Sequence, residues 1–215
     1  MLKAFNPLFA DGSVFTRYTP DAKGNPVEVV DENGREDNQL YDALDRLSQI
    51  QQLRGGTTYT TAFEYDSLGN VKRVTDPAGK ATDYLFDDLG RLVRVTSPNT
   101  GTTLYLYDPA GNLIGKVEDV GGTGRTTLYS YDGLDRLTLV DFPTDPDWVL
   151  AYDTSAALNQ KGRLASVTNG SLTSELEYTP RGEVAVERTW VDGVGYPVTY
   201  GYDAAGNVTS IQTPG

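Results

Sequence analysis

The sequence Tyr-Asp-Ser-Leu-Gly-Asn-Val at residues 65–71 decides the fold, because close copies of it recur along the chain. In each clean copy an aromatic residue is followed by Gly or Asp four positions later and by Leu or Val six positions later. Seven clean copies begin at Tyr41, Tyr65, Phe86, Tyr107, Tyr131, Tyr178 and Tyr202, and two looser copies begin at Tyr18 and Tyr152. The copies are spaced by about 23 residues, and a sustained period of this length is typical of repeat architectures.

Each copy has the residue types of a tight turn. In Asp108-Pro109-Ala110-Gly111 a side-chain acceptor comes first, proline second and glycine fourth, as type I turns prefer. A second turn signal falls half a period later, as in Asp76-Pro77-Ala78-Gly79. Two turns in each repeat leave two short strands, so the sequence predicts an all-β fold of tandem antiparallel β-hairpins.

The segments between the turns agree with strands, with one discord. Phe63 and Tyr65 are spaced by two, as are the corresponding rings in other repeats, so each pair shares one face of a strand. Val71 and Val74 are spaced by three, which strict alternation does not give. A β-bulge, or a strand covered on both faces, would explain this spacing.

Residues 38–54 also fit a helix, because their large apolar residues fall at helical spacing. These residues are Leu40, Leu44, Leu47, Ile50 and Leu53. We predict a strand pair there instead, since the copy that begins at Tyr41 is in register with six copies that cannot be helical.

The composition of the chain excludes several classes of function. A chain of 215 residues forms one domain or two small ones, and it contains no His and no Cys, which excludes imidazole and thiol chemistry. A formal charge of −12 would repel a nucleic acid backbone. No apolar run is long enough for a signal peptide or for membrane insertion. We therefore predict no catalytic, cofactor or metal site.

The repeats resemble the YD-repeat, or Rhs-repeat, family of bacterial polymorphic toxins, insecticidal toxin complexes and teneurins. The resemblance rests on the copies quoted above and covers residues 18–211. It implies hairpins joined edge to edge in one curled or spiral sheet. It also implies an array of about nine repeats at residues 18–215, preceded by an N-terminal leader or edge segment at residues 1–17.

By the same resemblance, we expect a structural function and no enzyme activity. The chain would form wall material of a shell that encapsulates a toxin, or part of a large surface protein, with flanking repeats or a toxin domain of a longer polypeptide as partners. A secreted or cell-surface location is expected. The alternative is an adhesion module that binds a carbohydrate or a protein at a cell surface.

The chain departs from the family's shells in two respects. It has fewer repeats, so we expect an open array, either a piece of something longer or a small independent member. It also lacks the self-cleavage region that follows the shell, because residues 76–80 and 108–112 are repeat turns. No cleavage residue can be assigned.

Two recurring sets of side chains have both a structural and a functional interpretation. The aromatic rings form either the core or a sugar-stacking platform, and the rings outside the motif are Tyr59, Trp148, Trp190 and Tyr196. The recurrent aspartates could bind calcium, but their spacing favours turn capping. They are Asp42, Asp66, Asp87, Asp108, Asp132, Asp153 and Asp203. Neither a glycosidase carboxylate pair nor a Ser-Lys site near Ser166 and Ser174 has support.

Proline and charged residues at strand ends are interpreted as solvent-facing residues that protect sheet edges. They are Pro26, Lys72, Arg73, Arg94 and Glu187. If the array is excised from a longer one, its two terminal strands predict end-to-end self-association.

Overall fold

The computed structural model describes residues 2–5, 15–31, 33–120 and 122–214. Within these ranges the chain forms nineteen β-strands. In chain order they are β1 Leu2–Phe5, β2 Phe15–Pro20, β3 Pro26–Val30, β4 Glu36–Tyr41, β5 Leu47–Arg54, β6 Thr57–Tyr65, β7 Val71–Thr75, β8 Ala81–Phe86, β9 Leu92–Ser97, β10 Gly101–Tyr107, β11 Leu113–Val120, β12 Thr123–Tyr131, β13 Leu137–Asp141, β14 Trp148–Tyr152, β15 Leu164–Asn169, β16 Leu172–Tyr178, β17 Val184–Val191, β18 Val194–Tyr202 and β19 Val208–Gln212.

The strands pair in chain order within two compact units. The first unit holds Met1–Thr103 with Asp119–Gly121, and the second holds Leu104–Glu118 with Gly122–Gly215. In the first, each strand from β1 to β9 pairs antiparallel with the next. In the second, the strands from β12 to β19 do the same. The predicted all-β fold of tandem antiparallel hairpins is confirmed.

Residues 38–54 form strands, as predicted, and the helical alternative is wrong. β4 and β5 pair antiparallel, with Leu40 opposite Gln49 and Gln39 opposite Ile50. The motif turn between them has the same hydrogen bonds as the turns of the other copies. Repeat context therefore overrides the helical spacing of the leucines, because the turn fixes both flanking strands.

A β-bulge explains the apolar spacing of three. Tyr65 pairs with Val71 and Phe63 pairs with Val74, while the register shifts by one residue between Glu64 and Tyr65. The extra residue on β7 lets two valines three positions apart share one face. The same shift occurs beside the motif aromatic residues Tyr41, Phe86, Tyr131, Tyr152, Tyr178 and Tyr202.

Burial is shallow on both faces of the strands. The motif aromatics are half-buried, and in some copies the residue before the aromatic is exposed, as with Leu85 and Leu106. Among the residues whose burial is described, the buried apolar side chains are Val140 and Ala165. The fold is therefore held by strand pairing and by contacts between successive repeats, as expected for a repeat protein.

The interpretation of the charged strand residues needs correction. Lys72, Arg73 and Arg94 are exposed, as predicted, but edge protection is wrong for Pro26, Lys72, Arg73 and Glu187. Their strands β3, β7 and β17 each pair on both sides. The polar residues suggested edge strands, but the local sequence does not show that a paired strand lies on each side of them.

The predicted N-terminal segment, residues 1–17, is described in part. Residues 2–5 form β1, which pairs with β2 from Leu2 opposite Tyr18 to Phe5 opposite Phe15. This strand adds one to the two strands expected from each of nine repeats. Residues 6–14 lie outside the described part of the chain, and the division into residues 1–17 and 18–215 stays a prediction.

Candidate functional site: the motif turn and its contacts with the preceding repeat

The motif turn is a type I turn followed by a residue with positive φ. In the copy at Tyr107, the Gly111 N–H donates to the Asp108 carbonyl (3.1 Å) and the Asp108 N–H donates to the Asn112 carbonyl (3.0 Å). Gly111 has φ 99°. This geometry suits a three-residue hairpin loop with a glycine bulge, and it explains why the motif requires Gly or Asp at its fifth residue.

The half-period turns differ in geometry, and two of them serve as examples. Asp76 to Lys80 repeats the motif turn, with the Gly79 N–H donating to the Asp76 carbonyl at 2.9 Å. Gly55 and Gly56 instead form a two-residue turn in which both φ angles are positive, 56° and 80°. Two positive φ angles define a type I′ turn, which matches the twist of a hairpin.

The motif aspartate caps its own turn, as predicted. Asp66 Oδ1 accepts from the N–H of Leu68 (2.9 Å) and of Asn70 (2.8 Å), and Asp66 Oδ2 accepts from Asn70 Nδ2 (3.0 Å). In other copies an arginine replaces this asparagine, so that Arg46 Nε donates to Asp42 Oδ2 at 2.8 Å. Among the described residues, no group of three or more acidic side chains is placed to hold a metal ion.

These hydrogen bonds lower the pKa of the aspartates. The N–H of Arg46 contributes most to lowering the pKa of Asp42, and the side chain of Arg136 contributes most for Asp132. Partial desolvation raises both pKa values but is outweighed. The carboxylates are therefore ionised, and act as acceptors, at neutral pH.

The motif tyrosine links its repeat to the repeat before it. Its hydroxyl donates to the carbonyl of the residue that opens the strand after the preceding motif turn. The pairs are Tyr41 to Pro26 (3.1 Å), Tyr65 to Leu47 (2.7 Å), Tyr131 to Leu113 (2.9 Å), Tyr152 to Leu137 (2.9 Å), Tyr178 to Leu164 (2.8 Å) and Tyr202 to Val184 (2.8 Å). The half-buried ring packs while its hydroxyl is satisfied, so the structural interpretation of the motif aromatics is favoured.

Among the described contacts, an arginine of the preceding repeat lies over the same ring in three copies. The guanidinium carbon of Arg46 lies 4.5 Å from the centre of the Tyr65 ring, and that of Arg136 lies 4.3 Å from the Tyr152 ring. Arg163 lies 5.4 Å from the Tyr178 ring. Arg46 and Arg136 thus join their own turn aspartates to the next repeat through a cation–π contact.

Two copies carry aspartate at the position with positive φ. Asp45 and Asp135 have φ 59° and 58°. Asp45 Oδ1 accepts from Lys23 Nζ (2.7 Å), and Asp135 Oδ1 accepts from Asn112 Nδ2 (2.9 Å), in each case from the turn of the preceding repeat. An aspartate at this position therefore has a strained backbone, but its side chain makes a hydrogen bond to the neighbouring turn that glycine could not make.

The looser copy at Tyr152 uses its extra residues to dock on the following repeat. Gln160 is 3% exposed, and its Nε2 donates to the Leu176 carbonyl at 2.7 Å. Asn159 Nδ2 donates to the Tyr178 carbonyl at 2.8 Å. Sequence reasoning missed both residues, because the insertion breaks the period and its only signal is a polar pair before Gly162.

The rings outside the motif do not all share one face of the second unit. Tyr196 lies opposite Thr189, one residue from the pair Trp190 and Gly195, so the two rings point to opposite faces. Trp190 Nε1 also donates to Glu175 Oε2 at 2.8 Å. Trp148 packs edge-on against Phe142 with ring centres 6.0 Å apart, and Tyr59 lies in the first unit.

The remaining predicted positions lie in ordinary strands and turns. Ser166 is in β15 opposite Glu175, and Ser174 is in β16 opposite Val167. Among the residues that the structure describes, no helix is long and apolar enough to cross a membrane.

A comparison with protein families identifies the array. A family model described as the teneurin YD-shell matches residues 8–181, which is more than half of the chain. No curated protein matches this chain.

Solved structures of toxin complexes are similar in fold. A crystal structure of TcdB2-TccC3-TEV matches with a TM-score of 0.68 and 19% identity, over 93% of this chain and 11% of that one. A crystal structure of TcdB2-TccC3 without its hypervariable C-terminal region gives the same values. The Photorhabdus luminescens Tc holotoxin pore matches with a TM-score of 0.60 and 17% identity, over 92% of this chain and 13% of that one. At this identity the likeness shows the fold, and the chain spans a small part of those proteins.

Proposed function

Because the chain belongs to the teneurin YD-shell family, we propose that it is wall material of a larger shell or surface protein. The observation that carries this proposal is the repeated contact of the motif tyrosine with a carbonyl of the preceding repeat. Each repeat is bound to its neighbour by the same atoms, so repeats add to one another as a continuous wall.

In the finer form of the proposal, the wall encloses a toxic segment of a longer polypeptide. The likeness to TcdB2-TccC3 supports this form, since one of those structures is defined by the absence of a hypervariable C-terminal region. The partners are then flanking repeats and an enclosed C-terminal segment, and the protein acts outside the cell. We propose no catalytic role. The adhesion alternative has no support from these relatives.

Protease protection tests the enclosure. The polypeptide encoded by the reading frame that contains this chain is purified, treated with trypsin and imaged by electron microscopy. We expect a hollow particle whose C-terminal segment resists digestion. Ser174→Pro should abolish the protection, because β16 pairs on both sides and proline removes a ladder hydrogen bond. Ser174→Ala is the matched control and should retain it.

Two results would contradict the proposal. A C-terminal segment that is digested as fast in the whole polypeptide as alone would exclude enclosure. Specific binding of the 215-residue chain to a glycan, with loss on Trp148→Ala, would favour the adhesion alternative instead.

A further inference from the structure

Three successive motif turns of the first unit expose a leucine at the same position. Leu44, Leu68 and Leu89 are 70%, 70% and 76% exposed. Their N–H groups donate to the turn aspartates Asp42, Asp66 and Asp87 at 2.9, 2.9 and 3.0 Å. The turns therefore share one backbone geometry, and the three side chains leave it in the same direction. We call Leu44, Leu68 and Leu89 the leucine rim.

The turn itself does not need leucine. Ala205 and Lys23 occupy the same position in other copies and make the same hydrogen bond to Asp203 and Asp21, at 2.9 and 2.8 Å. Turn tips favour small or polar residues. A large apolar side chain in three consecutive turns thus has no explanation in the fold.

The spacing of the leucine rim follows from the sheet. Successive motif turns are two strands apart, and strands lie about 4.8 Å apart, so neighbouring leucines are separated by roughly 10 Å. Residues seven apart on an α-helix are separated by about 10.5 Å along its axis and share one face. An extended segment does not fit as well, because residues three apart in a strand point to opposite faces.

The charge around the leucine rim is negative. Residues 42–46, 66–70 and 87–91 contain five carboxylates and two arginines. Both arginines, Arg46 and Arg91, pair with the aspartate of their own turn at 2.7 Å. Two exposed aspartates, Asp45 and Asp88, flank the leucines, and Asp45 also pairs with Lys23 of the preceding turn at 2.7 Å. A second copy of this rim would be repelled, whereas lysine and arginine side chains would be attracted.

We propose that the leucine rim docks a basic amphipathic α-helix that presents an apolar residue at every seventh position. Apolar contacts supply the affinity, and the flanking carboxylates select a partner with lysine or arginine beside its apolar stripe. The inference concerns an exposed rim and does not depend on what the wall encloses.

Peptide binding to the 215-residue chain tests this inference. The probe is a fluorescent helical peptide of alanine and lysine with three leucines seven residues apart, measured by anisotropy at low and moderate salt. A second peptide has the same composition with the leucines at irregular spacing, and a third has glutamate in place of lysine. The triple variant Leu44→Ala, Leu68→Ala, Leu89→Ala should bind the first peptide at least about tenfold more weakly than the parent. Leu134→Ala removes an equally exposed turn leucine of the second unit and should leave binding unchanged.

The outcomes are distinct. Tight binding of the first peptide alone, lost in the triple variant, supports the inference. Equal binding of the three peptides, or binding that survives the triple substitution, overturns it. So does dimerisation of the parent that the triple variant abolishes, because the leucine rim would then contact a second copy. The triple variant should fold, since alanine already occupies this turn position at residue 205, and a thermal melt checks this.

Discussion

The fifth residue of each motif turn has a backbone conformation that most residues avoid. Gly69 has φ 91°, and a Cβ added there would meet no atom within 4 Å. The cost of a substitution is therefore conformational and not steric. A left-handed conformation costs an L-residue about 1–2 kcal/mol.

We therefore expect Gly69→Ala to lower the free energy of unfolding by about 1–2 kcal/mol, measured by urea denaturation. Gly133→Ala is the matched control, because Gly133 lies in a motif turn with the same open space but without a positive φ. That change should leave the protein unaltered or stabilise it by about 0.5 kcal/mol, since alanine restricts the unfolded chain. Equal losses in the two variants would contradict the assignment.

The turn aspartates make stability sensitive to acid. Their pKa values in the folded chain are lowered below the ordinary value of 3.8, so the unfolded chain binds protons first as pH falls. The stabilisation is present above pH 3.8 and is lost as the pH falls through the folded values. We expect a melting temperature that is steady between neutral pH and about pH 5 and that falls steeply below about pH 4.

Asp132→Asn should reduce the slope of this acid limb, because one of the hydrogen-bonded carboxylates is removed. Asp88→Asn, which removes an exposed carboxylate that does not open a turn, should keep the slope of the parent. A slope that is the same in all three proteins would rule out the turn aspartates as its cause.

At the scale of the strands, the motif hydroxyl provides a natural comparison. Tyr65 donates to the Leu47 carbonyl at 2.7 Å, whereas the copy at Phe86 has no hydroxyl. Tyr65→Phe should lower the free energy of unfolding by about 0.5–1.5 kcal/mol. Tyr59→Phe, at an exposed ring outside the motif, is the control and should change it little.

Phe86→Tyr should have the opposite effect. By the repeat pattern its new hydroxyl meets the carbonyl of Val71, which opens β7. A gain of about 0.5–1 kcal/mol is expected. No change in either direction for both Tyr65→Phe and Phe86→Tyr would mean that the ring alone joins the repeats.

The insertion after Tyr152 depends on one buried amide. Gln160→Ala removes a buried amide and its hydrogen bond to the Leu176 carbonyl, at a cost of about 1–3 kcal/mol. We expect faster proteolysis within residues 154–162, with the cleavage sites identified by mass spectrometry. Lys161→Ala changes the exposed residue next to Gln160, and this variant should be cleaved no faster than the parent.

At the scale of the whole chain, β19 stands out among the strands whose burial is described. All of its residues are exposed, including Val208 at 52% and Ile211 at 61%, and its described partner is β18. Unpaired strand edges favour association between chains. The 215-residue chain should therefore associate as its concentration rises, as measured by light scattering.

Ile211→Lys should weaken this association, because a charged residue on an edge strand opposes edge-to-edge pairing. Ser171→Lys, which adds the same charge in a turn, should not. A parent that remains monomeric at high concentration would remove the prediction.

How far the sequence predicts the structure depends on periodicity. Turns, strand pairing and the capping role of Asp66 were predictable because every copy repeats the same short-range chemistry. The docking of Gln160 was not, because it lies where the period is lost. The edge role of Lys72 and Arg73 was wrong because strand neighbours depend on pairing and not on local polarity. The exposure of Leu44, Leu68 and Leu89 was also hidden, since a leucine in a periodic pattern is normally read as core.

The hydroxyl of each motif tyrosine meets a backbone carbonyl of its neighbour and not a side chain. Every amino acid carries that acceptor, so this bond places no demand on the identity of the residue it reaches. One repeat can consequently replace another without losing this hydrogen bond. A gene can gain or lose whole copies by unequal recombination, or accumulate substitutions between the motifs, without losing this hydrogen bond to the adjoining repeat.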